Sequence, residues 1–167
     1  MTRARKLLLA GGLALAVWGM SYGLYYALFD EHQTLEQIGG SLAASFVSAA
    51  EGKLPEAHAA LDRYAAASYE YVREVDVHSH WIGLAMLLIL MGVIFDRVAF
   101  DERKSFRLAV ALVTGSVVFP LGVILQTAMQ GQTPRAIAVA GSALIIIALA
   151  LIAVGFWRKH ISGGERG

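Results

Sequence analysis

Two carboxylates and two imidazoles crowd the stretch Glu74-Val-Asp-Val-His-Ser-His80, directly before the apolar run that opens at Trp81. Residues four apart on a helix share a face, so Glu74/His78 and Asp76/His80 each form a pair, and His32/Glu36 forms a third. A carboxylate beside an imidazole orients the ring and raises its basicity, as the outer shell of a metal site does. His78 and His80 point about 200° apart on a helix that turns 100° per residue, so one site takes both only if the helix breaks. Two kinds of ligand suit this set. One is haem b held between His78 and His32, with Arg135 pairing a propionate, or with His80 and Met129 as the alternative axial pair. The other is a single transition-metal ion among His32, Glu31 or Glu36, Glu74 and His78, where mixed imidazole and carboxylate donors suit zinc, iron, manganese or copper. A third reading needs no ligand: these residues are the polar end of a membrane hairpin, capped by water and one another.

Stepping from those side chains to what must hold them, the chain is 57% hydrophobic and 16% charged, far from the soluble balance. Apolar runs at 7–29, 81–100, 108–129 and 136–157 are each long enough to cross a hydrocarbon core about 30 Å thick, which takes roughly 20 helical residues. The expected fold is all-α integral membrane, a single four-helix domain over 1–167. Basic residues set its orientation. Ten Lys/Arg lie before the first run, between the second and third, and after the fourth; four (Lys53, Arg63, Arg73, Arg135) lie on the other side. Lys and Arg are retained inside, which places both termini in the cytoplasm of a multi-pass protein of the cytoplasmic membrane. Trp81 and Trp157, at opposite span ends, read as interfacial anchors. The first run continues through SYGLYYALF and is too long for a signal peptide. Without cysteine there are no disulfides, thiolate ligands or covalent haem attachment.

The first two spans are expected to extend into an extracytoplasmic helical hairpin over 30–80. Its outgoing arm is rich in helix formers and interrupted at Gly39-Gly40. EGKLPEAH at 51–58 reads as the turn, with Pro55 in the first turn of the returning helix. Leu61, Tyr64, Ser68, Tyr71, Val75, His78 and Ile82 recur at steps of three and four, as do Leu28, Glu31, Leu35, Ile38, Leu42 and Ser45. Both sets read as seam positions. Folding the arms about the turn sets His32 opposite the neighbourhood of Val75 and Glu31 opposite that of Asp76. Glu31, His32, Glu36, Glu74, Asp76, His78 and His80 then gather at one level. Gly19 and Gly23 form a GxxxG pair suited to close helix approach. Pro120 is expected to kink the third span. Tyr22, Tyr25, Tyr26 and Phe29 form an aromatic belt or line a quinone or haem edge. Gln126, Thr127, Gln130 and Gln132 mark the polar exit of the third span.

The His-x-His pair beside a membrane helix resembles the ligand pairs of haem–copper oxidases, in which nearby histidines serve different metal centres. The likeness is confined to the stretch around His78 and His80, and it implies haem. The resulting expectation is a redox protein that binds haem b, or a metal ion, at the outer membrane face and exchanges electrons with a quinone or a respiratory complex. The competing expectation is a cofactor-free assembly or interaction subunit that docks a partner, or a second copy, through the hairpin. No phosphate loop, nucleophile elbow or HExxH motif is present, so the reading leans away from an enzyme and assigns no catalytic residue. Almost no ionisable residue falls mid-span, which disfavours a transporter. No nucleic-acid partner is expected.

Overall fold

The computed structural model describes residues 1–98, 100–129 and 131–164; Gln130 and Arg166, and the side chains of Thr127, Lys159 and His160, lie outside that description. The described residues form α1 (Arg3–Phe29), α2 (Glu31–Ala50), α3 (Leu54–Ile94), a 3-10 turn (Phe95–Arg97), α4 (Glu102–Ala128) and α5 (Gln132–Gly164), with no strand among them. Four segments are long and apolar enough to cross a membrane: Arg3–Phe29, Leu54–Arg97, Glu102–Gln126 and Gln132–Arg158. By length and composition the chain is a multi-pass membrane protein in a lipid bilayer.

Local chemistry fixes the helix ends. Between α1 and α2 only Asp30 departs, at φ −116° and ψ −34°. Its N–H still donates to the Tyr26 carbonyl at 2.9 Å, and Thr34 N–H donates to the Asp30 carbonyl at 3.0 Å. Gln33 Nε2 donates to the Phe29 carbonyl at 3.3 Å and Thr34 Oγ1 to the Asp30 carbonyl at 3.0 Å. Side chains thus fill the slack that a widened helical turn leaves in its acceptors. The interruption expected at Gly39-Gly40 does not occur: α2 runs through both glycines, and open space surrounds each. Each glycine costs about 1 kcal/mol in a helix, which Ala- and Leu-rich flanks offset.

The turn after α2 is a Schellman motif. Gly52 takes φ +73°, its N–H donates to the Ala49 carbonyl at 3.0 Å, and Lys53 N–H donates to the Ser48 carbonyl at 2.8 Å. Only glycine enters that conformation without steric cost. Pro55 follows in the first turn of α3, where its missing N–H is not needed. At α4, Asp101 has extended backbone and accepts from Lys104 N–H at 3.4 Å, an N-cap.

The chain forms two compact units, Met1–Gly19 with Ser79–Gly167, and Met20–His78. In the first, α1 buries Ala4, Leu8, Gly12, Leu15 and Gly19, α3 buries Trp81, Ala85 and Leu88, and the 3-10 turn after it buries Phe95. Glycine makes the two helices close. A Cβ on Gly12 would stand 3.0 Å from the Ala85 carbonyl, and one on Gly19 would stand 2.8 Å from Trp81 Cβ. Trp81 is therefore not an interfacial anchor. The gap left by Gly19 admits its side chain to the core, where it is 2% exposed and meets Trp18 edge-on at 6.5 Å. Trp157, in contrast, is 69% exposed. Helices α4 and α5 touch backbone to backbone. A Cβ on Gly122 would overlap Ala138, one on Gly141 would overlap Phe119, and one on Gly115 would stand 2.8 Å from Ile145. Such small-residue contacts let dispersion act where lipid cancels any hydrophobic drive. Pro120 is fully buried inside α4, which continues past it. Arg5 Nη1 donates to Asp96 Oδ2 at 2.8 Å and Thr2 Oγ1 to Asp96 Oδ1 at 3.3 Å, tying the start of α1 to the turn after α3.

In the second unit the seam differs from the expected one. On α3 the less exposed positions include Ala57, Ala60, Tyr64, Ala67, Ser68, Tyr71, Glu74, Val77 and His78; on α2 they include Glu31, Thr34, Ile38, Ser41, Leu42, Ser45 and Ser48. Tyr64, Tyr71, His78, Glu31, Ile38 and Ser45 fall where expected. Leu61, Val75, Leu35 and Leu28 do not: they are exposed, and the residue one position earlier (Ala60, Glu74, Thr34) takes the inner place on each arm where one was expected. Alanine and serine fill the seam because two helices that approach closely have no room for leucine.

Candidate functional site

Among the described residues the seven histidine and carboxylate groups form no cluster placed to hold a metal ion. His32 Nε2 pairs with Glu36 Oε1 at 3.1 Å on the outer face of α2, and its side chain is 84% exposed. His78 turns the ring edge that bears both nitrogens onto the backbone of Gly23 in α1. His80 lies in the other unit, edge-on to Phe119 of α4 with ring centroids 4.8 Å apart. Met129 is exposed at the C-cap of α4, and Arg135 is exposed in the first turn of α5. Glu31 is half-buried in the first turn of α2. Among the described residues no group of three or more His, Asp or Glu is placed to hold a metal ion. Glu74 accepts from the Tyr22 hydroxyl of α1 and lines one cleft with Asp30, Gln33 and Thr34 at the start of α2.

What does assemble in the second unit is a polar cleft of about 410 Å³. Tyr22, Tyr25 and Tyr26 of α1 form one wall, Gln33, Thr34 and Gln37 of α2 continue it beyond Asp30, and Glu70 and Glu74 of α3 face them. The Tyr22 hydroxyl donates to Glu74 Oε2. The Tyr26 hydroxyl is screened from solvent. Three carboxylates and no Lys, Arg or His line the cleft, so it offers mainly hydrogen-bond acceptors. It suits a cationic or donor-rich group. The tyrosines were legible as an aromatic belt; Asp30, Gln33, Gln37 and Glu70 were not singled out. Their signal was present as a polar stripe at helical spacing, Tyr22, Tyr26, Asp30, Gln33 and Gln37, opposite Glu70/Glu74.

The displaced seam has a second consequence. On α3 the residues one position after the seam include Leu61, Val72 and Val75; on α2 they include Leu35, Leu42 and Phe46. Leu61 is 46% exposed and Phe46 69%. Both arms are offset from their seams by one residue in the same direction along the chain. On two antiparallel right-handed helices that shared offset rotates both stripes to the same side of the pair. The hairpin therefore carries Leu35, Phe46, Leu61, Val72 and Val75 on one outward face, with His32 at the end of it. Charge surrounds this face unequally: residues 20–78 hold nine acids and three bases.

Compared with known proteins, the chain matches no family model, no curated protein and no solved structure.

Proposed function

We propose that this protein is a membrane-embedded interaction subunit whose helical hairpin docks another protein, and that it works without a bound redox cofactor. One observation carries the reading: Leu35, Phe46, Leu61, Val72 and Val75 share one exposed side of the hairpin while alanine and serine fill its interior. Such a stripe costs solubility unless covered, and exposed apolar patches mark interaction sites. Lipid is a poor cover, because acids at Asp30, Glu36, Asp62, Glu70 and Asp76 intersperse the same arms and charge is expensive in hydrocarbon. The partner is accordingly a helix with an apolar face and basic flanks, complementary to the acidic excess.

A photo-cross-linking amino acid at Leu61 or Val72, activated in native membranes, tests this. The expected result is a discrete adduct with a second protein, absent when the same probe replaces Arg63 on another face. Adducts with lipid alone, or equal yield at Arg63, overturn the reading. The redox alternative is tested on the purified protein by absorption spectra, oxidised and then dithionite-reduced, together with metal analysis. A reduced-form α band with stoichiometric iron would reinstate haem.

A further inference from the structure

None of the residues that carry the docking reading lines the polar cleft of the second unit, and the cleft has a chemistry of its own. Its cavity of about 410 Å³ is walled by Tyr22, Tyr25 and Tyr26 together with Asp30, Glu70 and Glu74. The Tyr22 hydroxyl holds Glu74 through Oε2. Among the described residues no ion pair engages any of the three carboxylates. Arg73, the arginine nearest to Glu70 and Glu74 along the chain, lies instead over the Tyr69 ring at 5.0 Å. The walls thus bring negative charge and aromatic faces to one cavity and no positive charge of their own.

The spacing of the acids narrows what would bind. Among the described residues no three carboxylates or imidazoles stand close enough to share one metal ion. The acids line one cavity yet are spread along it. Glu70 and Glu74 are one turn apart, about 6 Å along α3. Asp30 comes from the wall that α1 and α2 make. Spread carboxylates call for a cation whose charges are spread to match, and ammonium groups joined by propylene or butylene linkers have a similar separation. A zwitterionic lipid headgroup matches less well, because its phosphate would meet the same acids with no base to hold it. Tyrosine faces attract ammonium groups and pack against methylene linkers. The side-chain carbonyls of Gln33 and Gln37 offer further acceptors.

We propose that this cleft binds a linear polyamine, with its ammonium groups on Asp30, Glu70 and Glu74 and its carbon linkers against the tyrosines. The nine acids and three bases of residues 20–78 raise the local concentration of such a cation.

The test is calorimetric titration of spermidine into full-length protein held in phosphatidylcholine nanodiscs, at fixed ionic strength and with no protein partner present. The expected result is saturable binding of one spermidine per chain. Butylammonium, with a single charge, should bind at least about ten-fold more weakly, the worth of one charge-assisted hydrogen bond. Asp30→Asn and Glu70→Gln should each weaken spermidine binding by about ten-fold. Tyr25→Leu leaves every charge in place and should weaken it by about three-fold through the lost ring face. Glu56→Gln with Asp62→Asn removes two acids outside the cleft and should leave affinity unchanged. Absence of saturable binding overturns the proposal. Equal loss in the Glu56/Asp62 variant, or full affinity in Tyr25→Leu, overturns it in favour of a diffuse acidic field. Displacement of spermidine by magnesium at equal concentration overturns it in favour of a simple counter-ion. Loss of spermidine binding in discs of phosphatidylethanolamine overturns it in favour of that lipid's headgroup. Circular dichroism melts establish that each variant is folded before its titration is read.

Discussion

The imidazole of His78 lies directly against the backbone of Gly23, with no room between them for a methyl group. The ring that looks most like a ligand is thereby part of a helix contact, and the glycine that looks most like packing is what admits the ring. The GxxxG pair serves its two positions differently: Gly19 makes space for Trp81 and Gly23 makes space for His78. At Gly19 the helices themselves come close, with Trp81 Cβ and the Ile82 main chain against it, whereas at Gly23 an imidazole ring fills the space.

Gly23→Ala should therefore force the His78 ring aside and lower stability by about 1–3 kcal/mol, the usual cost of overpacking. Gly39→Ala meets open space in a helix and should raise stability by about 1 kcal/mol. Thermal melts in detergent, followed by circular dichroism, read both. A Gly23→Ala protein as stable as the parent would remove the contact from the argument.

Tyr22 and Glu74 are the one hydroxyl–carboxylate bond across the cleft that the described residues show. A hydrogen bond to a charged group contributes about 1.5–3 kcal/mol, so Tyr22→Phe and Glu74→Gln should each cost on that order. In a double-mutant cycle the second change should cost little once the first is made. Strict additivity would mean that the two side chains are not coupled.

Helices α4 and α5 offer a harsher test, because there the glycines meet main chain. Gly141→Leu and Gly122→Leu should prevent the pair from closing and lower detergent stability by more than the 1–3 kcal/mol typical of overpacking, since backbone cannot yield as a side chain does. Gly83→Leu, on α3 with nothing near it, should leave the melt unchanged or raise it slightly through helix propensity. Similar losses at Gly83 and Gly141 would show that close approach of α4 and α5 does not decide the outcome.

The spans, the turn at Gly52 and the start of α3 near Pro55 were legible because each rests on local chemistry: apolar length, a left-handed glycine, a proline without a donor. The seams were legible in period, and in phase at Tyr64, Tyr71, His78, Glu31, Ile38 and Ser45 but not at the large aliphatic positions Leu61, Val75, Leu35 and Leu28. A stripe of leucine and valine at steps of three and four looks like a core, and in water it usually is. Here Ala60, Ala67 and Ser41 take the interior, and Leu61 and Leu35 are left one position outside it. The phase was set by how closely the helices approach, which no single position states. The same cause hid the cleft. With the register displaced, Glu74 meets Tyr22, and the histidines that share a stretch of sequence end on different neighbours.

That phase error is the means of testing the proposed function. If the large residues form a docking face, Leu61→Glu and Val72→Glu should change stability by no more than about 0.5 kcal/mol, as surface substitutions do. Ala67→Leu, nearly fully buried, should cost about 1–3 kcal/mol by overpacking. Association should show the reverse order. Co-purification of the cross-linked partner, quantified against the parent protein, should fall sharply with either glutamate and persist in whatever fraction of Ala67→Leu remains folded. The glutamates act twice, by removing apolar contact and by adding charge to an already acidic arm; a basic-flanked partner would feel the first and be partly compensated by the second. Leu61→Asn separates the two, since it removes the apolar contact without the charge, and it should weaken association at least as much as Leu61→Glu. Large losses of stability at Leu61 and Val72, with Ala67→Leu tolerated, would return those side chains to the interior and leave the hairpin without a face to dock.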